Sequence, residues 1–272
     1  MPKATITLSA EQIDFYHREG YLTLPVITPP EEVERLRQIY DRLFAMRAGR
    51  EVGDQFDLAG TDKEGKPATL PQILEPVKYA PELAEALYRT NAQTIARQLL
   101  GPEAEYGGEH AIFKPPRIGA ETPWHQDEAY WEPDLEYNSL SVWMPLQEAT
   151  LENGCMQFIP GSHKAEVRPH HNIGYDPRIH GLEVDDVATA CAVACPIPAG
   201  GATIHHCRTL HYAGPNRSDI PRRAYILIFG LPPKKHQVAR DFYWRKGEEQ
   251  QASEQRRQAA EAAGKWSDVS GS

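Results

Sequence analysis

From Tyr106 to Phe229 the sequence is cut by Pro, Gly and Asn into short pieces rich in β-formers. Ala111–Lys114, Ser139–Met144, Cys155–Pro160, Val193–Pro196, Ala202–His206 and Arg223–Phe229 all have this character. Many short strands separated by turn signals close into a sandwich or a barrel, not an open parallel sheet. The preceding residues follow a helical pattern. Ser9-Ala10-Glu11-Gln12 is a capping box opening a helix that Gly20 ends, and Tyr21–Val26 follows as a short strand. Thr28-Pro29-Pro30-Glu31-Glu32 opens a second helix, with Val33, Leu36, Ile39, Tyr40 and Leu43 at helical spacing. A third helix is expected from about Pro81 to Leu100, and the polar, Gly-rich stretch from Gly49 to Pro71 reads as a loop. The Glu-, Gln-, Arg- and Ala-rich tail after Gly247 reads as an exposed helix. The expectation is one mainly β domain over 1–272, with flanking helices at about 9–100, a β core at about 104–230 and a helical tail at about 231–272.

The length of 272 residues allows a sizeable core. A net charge of −9 with no long basic run argues against a nucleic-acid partner, because phosphate binding needs concentrated Lys and Arg. The N-terminus lacks an apolar signal core, and no apolar run reaches the roughly 18–20 residues needed to span a bilayer, so neither secretion nor a membrane partner is expected. The four cysteines have no CxxC spacing and read as reduced thiols of a cytoplasmic protein.

Chemistry concentrates at Thr122-Pro123-Trp124-His125-Gln126-Asp127. Side chains two apart on an extended segment face the same side, so His125 and Asp127 can grip one cation together. A second imidazole is available from Leu210-His211-Tyr212, which precedes a turn, Ala213 to Ser218, and then the strand bearing Arg222. Two histidines and one carboxylate form the facial triad of non-haem Fe(II) oxygenases, with positions left for substrate and O2. Arg222 suits two-point binding of a carboxylate, which points to iron with a carboxylate-bearing cosubstrate. One of His205 and His206 should also face inward, as a ligand or as a partner of one. His110 sits on a strand and can face the cavity, whereas His17, His163, His170, His171, His180 and His236 read as turn or solvated residues.

At these residues the chain resembles the phytanoyl-CoA dioxygenase family of Fe(II)/2-oxoglutarate oxygenases. Pro123–Asp127 resembles the first ligand motif of that family. Trp143-Met144-Pro145-Leu146, Glu152–Met156 and Ile159–His163 resemble its central strands, and Leu210-His211 through Arg222-Arg223 resembles its distal ligand and cosubstrate arginine. The resemblance implies a double-stranded β-helix (jelly-roll, cupin-like) core and iron ligation by His125, Asp127 and His211. It also implies 2-oxoglutarate binding by Arg222, with Trp143 against the cosubstrate and Lys114 as a looser candidate for that pocket. The implied activity is O2-dependent hydroxylation of an unactivated C–H bond in a small molecule. Asp127 speaks against halogenation, since halogenating relatives lack the carboxylate ligand. One departure is Ala213, where the family often has Ser; Ser218 or a water is left to supply that hydroxyl.

Two other readings compete. A zinc hydrolase would use the same three ligands with Glu128 as general base, and a non-catalytic jelly-roll binding protein would keep the pocket alone. Gln126, Tyr130 and Trp131 are candidate pocket walls.

Overall fold

The computed structural model describes residues 2–62 and 67–245. Of the helical tail expected at about 231–272, residues 231–245 instead carry a two-residue strand at Lys234–Lys235 and a 3-10 turn at Tyr243–Arg245, and the rest lies outside the described residues.

Helix α1 (Ala10–Glu19) starts at the capping box, with Ser9 accepting from the Gln12 amide and the Gln12 side chain returning to the Ser9 amide. It ends at Gly20, whose φ of 80° is left-handed; a Cβ there would lie 2.3 Å from His163 Nδ1. Strand β1 (Tyr21–Leu24) and helix α2 (Pro30–Ala45) follow. The segment read as a loop contains β2 (Gln55–Asp57), which pairs with β3 (Pro71–Leu74). Asp57 organises the turn between them by accepting from the amides of Ala59, Thr69 and Leu70, a device that hydrophobic periodicity does not reveal. The third helix is also shorter than expected. Residues Pro81–Glu85 form a 3-10 turn, Ala86 is extended, and α3 runs Leu87–Leu100.

The β region then comprises β4 (Glu105–Lys114), β5 (Thr122–His125), β6 (Leu135–Glu136), β7 (Ser139–Pro145), β8 (Met156–Phe158), β9 (His171–Asn172), β10 (Leu182–Glu183), β11 (Val193–Cys195), β12 (Ala202–His206), β13 (His211–Ala213), β14 (Arg222–Gly230) and β15 (Lys234–Lys235). A seven-stranded antiparallel sheet has the order β1-β12-β7-β14-β4-β3-β2, and a four-stranded one has the order β11-β8-β13-β5. Two-residue ribbons pair β9 with β10 and β6 with β15. This is the double-stranded β-helix architecture, mainly β with flanking helices.

Alternation along the large sheet assigns its two faces. Val142, Tyr225 and Leu227 belong to the apolar cluster under the helices, with Leu36, Tyr40 and Tyr88. Burying each of these side chains is worth about 1.5–3 kcal/mol. Tyr88 donates a hydroxyl to the carbonyls of Val142 (2.6 Å) and Tyr225 (2.9 Å), and Tyr40 donates to Ala224 (3.2 Å), so the helices are tied to the sheet by directed bonds as well. The opposite face of the sheet carries Ser141, Trp143, Arg222 and Ile226 into a cavity between the sheets. Every residue of β7 is buried because the strand is covered on both sides.

Candidate metal centre

The centre is built by register. Strands β5 and β13 are antiparallel neighbours with His125 directly opposite His211, and their imidazole centroids are 4.1 Å apart. Asp127 follows β5 after one extended residue, on the side His125 faces. One ligand atom each from His125, Asp127 and His211 fall within 4.8 Å of one another, and both histidines are buried. Sequence spacing anticipated the pair at 125 and 127; the juxtaposition with 211 is a product of strand pairing.

Hydrogen bonds prepare these atoms for a cation. His125 Nδ1 lies 2.8 Å from the Pro123 carbonyl, and His211 Nδ1 lies 2.9 Å from the Thr209 carbonyl. A carbonyl only accepts, so each Nδ1 carries a proton and each Nε2 is the ring atom that can meet a cation. Burial, with His211 beside it, pushes His125 well below its ordinary pKa, so its ring is neutral. Burial alone would raise the Asp127 carboxyl, but the imidazoles of His211 and His205 outweigh it and hold Asp127 well below the usual range. Two imidazoles and one carboxylate suit a divalent ion that must keep open positions.

The two oxygens of Asp127 have different partners. Oδ1 lies 3.8 Å from His125 Nε2 and 3.4 Å from His211 Nε2. Oδ2 accepts from Ser141 Oγ at 2.7 Å and lies 3.3 Å from His205 Nε2. His205 is therefore the inward member of the 205/206 pair, and it reaches the carboxylate rather than joining the three-ligand cluster. Ser141 was missed in the sequence. Its only signal is its position two residues before Trp143, on the same strand face.

Across the cavity, Arg222 is buried and makes no hydrogen bond among the described residues; its Nε and Nη1 are unpartnered. Burial pushes its pKa down to about 9. The guanidinium carbon lies 5.4 Å from the Trp143 ring centre. A fully buried cation without an acceptor is costly unless an anion arrives to meet it, so this geometry fits a carboxylate ligand. Lys114, the cross-strand partner of Arg222, is placed differently. Its Nζ donates to the carbonyls of Ala213 (2.9 Å) and Gly214 (2.6 Å), and the residue does not line the cavity. Burial and the adjacent Arg222 hold it well below the usual lysine range.

The cavity measures about 250 Å³ and includes the three metal-binding candidates, Arg222, Trp143, Tyr130 and Trp131. Gln126 does not line it; its side chain binds the backbone of Arg168 and Arg208. Ser218 Oγ is spent on Asn216 and the Ile220 carbonyl, so it does not replace the hydroxyl missing at Ala213. Two discounted histidines also sit elsewhere than expected. His170 is fully buried and accepts from the Gln126 amide, while His180 enters the cavity. Both lie in an insert whose polar composition reads as solvated, but whose β9–β10 hairpin folds back onto the core.

Buried imidazoles make the fold acid-sensitive. Burial pushes His110 and His170 down to about 4 and His206 to about 3, from an ordinary 6.5. Between pH 6.5 and about 4 the unfolded chain binds these protons and the folded chain does not, so stability is lost as pH falls through that window. Each such imidazole costs the fold ~1.4 kcal/mol for every tenfold rise in proton activity within the window, so together they cost on the order of several kcal/mol. Thermal melts of metal-free protein should show Tm falling progressively below pH 6.5; a Tm constant down to pH 4.5 would contradict it.

A jelly roll with this donor set in its cavity defines a class of metal-dependent oxygenases. The family model for phytanoyl-CoA dioxygenase (PhyH) matches residues 16–224, and the chain belongs to that family. A probable alpha-ketoglutarate-dependent hypophosphite dioxygenase of Stutzerimonas stutzeri is 30% identical over 224 residues, spanning 80% of this chain and 77% of the relative. A phytanoyl-CoA dioxygenase of Arabidopsis thaliana is 26% identical over 257 residues, spanning 82% of this chain and 89% of the relative. The crystal structure of EvdO2 from Micromonospora carbonacea var. aurantiaca complexed with 2-oxoglutarate is 41% identical, with a TM-score of 0.76 over 89% of this chain and 99% of that one. The chain is accordingly an iron- and 2-oxoglutarate-dependent oxygenase. No helix among the described residues is long and apolar enough to cross a membrane.

Proposed function

We propose that the chain hydroxylates an unactivated C–H bond of a small molecule, with iron on His125, Asp127 and His211 and the far carboxylate of 2-oxoglutarate on Arg222. The observation that carries this reading is a buried guanidinium without a partner among the described residues, facing two imidazoles and a carboxylate across one cavity. When bound, iron and 2-oxoglutarate supply the oxidant, consuming O2 and releasing succinate and CO2.

The chain's own residues bind, orient and shield. The Pro123 and Thr209 carbonyls fix the ring orientation of His125 and His211. Ser141 and His205 hold Oδ2 of Asp127, leaving Oδ1 for the cation. Arg222 orients the cosubstrate, and Trp143 keeps the guanidinium in place from below. Lys114 acts one step further out, by fixing the carbonyls of Ala213 and Gly214 at the end of β13. The aromatic wall of Tyr130, Trp131 and Trp143 limits water near the reacting carbon. The four unpaired cysteines suit a cytoplasmic setting.

The hydrolase alternative loses its base. Glu128 is buried, with Oε1 2.7 Å from Arg240 Nη1 and Oε2 3.6 Å from Arg208 Nε, and it does not line the cavity. The discriminating experiment is metal exchange with a substrate panel read by succinate release. Chelation should abolish release, and ferrous iron but not zinc should restore it, in air only. Substrate cleavage by the zinc form without O2 would instead support a hydrolase.

A further inference from the structure

We propose that His110 and His180 form a hydrogen-bonding subsite for the substrate to be oxidised, and that this substrate is an uncharged, hydroxyl-bearing molecule. The inference deepens the reading above, since it takes the cavity beside the triad as the oxygenase site.

The two imidazoles reach one cavity from different elements. His110 comes from the large sheet, in the cross-strand row Trp143–Ile226–His110–Leu74. His180 comes from the β9–β10 insert. Its ring stacks on Tyr130, with centroids 5.8 Å apart and planes at 24°, and meets Phe56 edge-on at 5.0 Å. Tyr130 is itself held, its hydroxyl accepting from the Leu182 amide at 2.7 Å. The His180 ring is therefore fixed by packing, and His110 is held by its place in the sheet, yet neither imidazole makes a hydrogen bond among the described residues. Polar groups in such a setting are normally satisfied, by protein, by water or by a ligand.

Charge narrows the ligand. Among the described residues, the charged side chains lining the cavity apart from imidazoles are Asp127 and Arg222. The first belongs to the metal and the second to the 2-oxo acid, so among the described residues no ionic partner is left for a substrate anion or cation. The remaining polar groups, including Gln72 and Thr122, are neutral. Burial keeps His110 and His180 neutral too. A neutral imidazole offers one donor and one acceptor, and a hydroxyl complements both. An aliphatic acyl chain would leave both rings dry.

The experiment is an anaerobic titration of the protein loaded with Fe(II) and 2-oxoglutarate. The neutral probes are methyl glucoside and inositol; the contrasting probes are hexanoate and palmitoyl-CoA. The neutral polyols should bind saturably, and more tightly than the other two. His110→Phe and His180→Phe should each weaken polyol binding by about tenfold or more, the cost of losing a satisfied buried hydrogen bond. His180→Gln, which keeps a donor and an acceptor, should recover most of that loss. Affinity for 2-oxoglutarate should stay within about twofold in all three, which separates a subsite effect from misfolding. Tighter binding of palmitoyl-CoA or hexanoate, silent polyols, or Phe variants that bind like the parent would each overturn the proposal. Admission of O2 then tests the parent reading separately: polyol binding that depends on both histidines, but yields no succinate, supports the subsite and counts against hydroxylation of such a molecule.

Discussion

Replacing Asp127 by alanine should take succinate release to background and weaken ferrous-iron binding by more than about 100-fold. Loss of an outer hydrogen-bond partner already costs a metal site roughly 10–100-fold, and Asp127 is itself the anionic member of the donor set. Without it, His125 and His211 offer only neutral nitrogens to a divalent ion. The metal-free fold should tolerate the change, because Asp127 is partly exposed to the cavity and sits in a short 3-10 turn outside the two hydrophobic clusters. Asp127→Asn, which keeps the shape and the Ser141 contact, serves as the folding control and should also fail to turn over. Metal titration of both variants beside succinate assays is the measurement. Iron binding undiminished in Asp127→Ala would mean that the cation sits elsewhere, with His205 the first residue to examine.

The second large effect is at Arg222. Arg222→Met should raise the 2-oxoglutarate dissociation constant by about 100- to 1,000-fold. Hydrogen bonds to charged groups contribute roughly 1.5–3 kcal/mol each, and a guanidinium can give two to one carboxylate; ~1.4 kcal/mol is tenfold in affinity. Stability should move in the opposite direction or not at all, since a buried cation with two unpartnered nitrogens is exchanged for an apolar side chain of similar reach. Rising Tm with collapsing cosubstrate affinity would be a signature that mere structural damage cannot produce. Unchanged 2-oxoglutarate affinity would relocate the clamp. Arg223 is a poor substitute, because it is already paired with Asp41 through contacts of 2.6 and 2.9 Å.

How far the sequence could be read depends on whether a signal is local. The capping box at Ser9, the apolar spacing of α2, and the same-side placement of His125 and Asp127 each depend on a few consecutive residues, and all are present in the structure. The β2 strand was hidden, because Asp57 organises its turn through backbone amides rather than through a composition signal. The insert misled in a different way. Its polar composition implied solvation, yet it buries His170 and directs His180 inward. Lys114 was expected as a looser candidate for the cosubstrate pocket, but its ammonium is engaged by the end of β13 and the residue does not line the cavity.

Residue order alone determined the class of fold, the pair at 125 and 127, and the chemistry expected of a later histidine and arginine, because strand period and donor type are properties of short segments. Only the tertiary structure decided that His211 stands opposite His125, that Ser141 and His205 share one oxygen of Asp127, and that Arg222 faces the cavity without a partner among the described residues. Those outcomes depend on strand register between segments far apart in the chain. A slip of one residue would turn every one of these side chains to the other face.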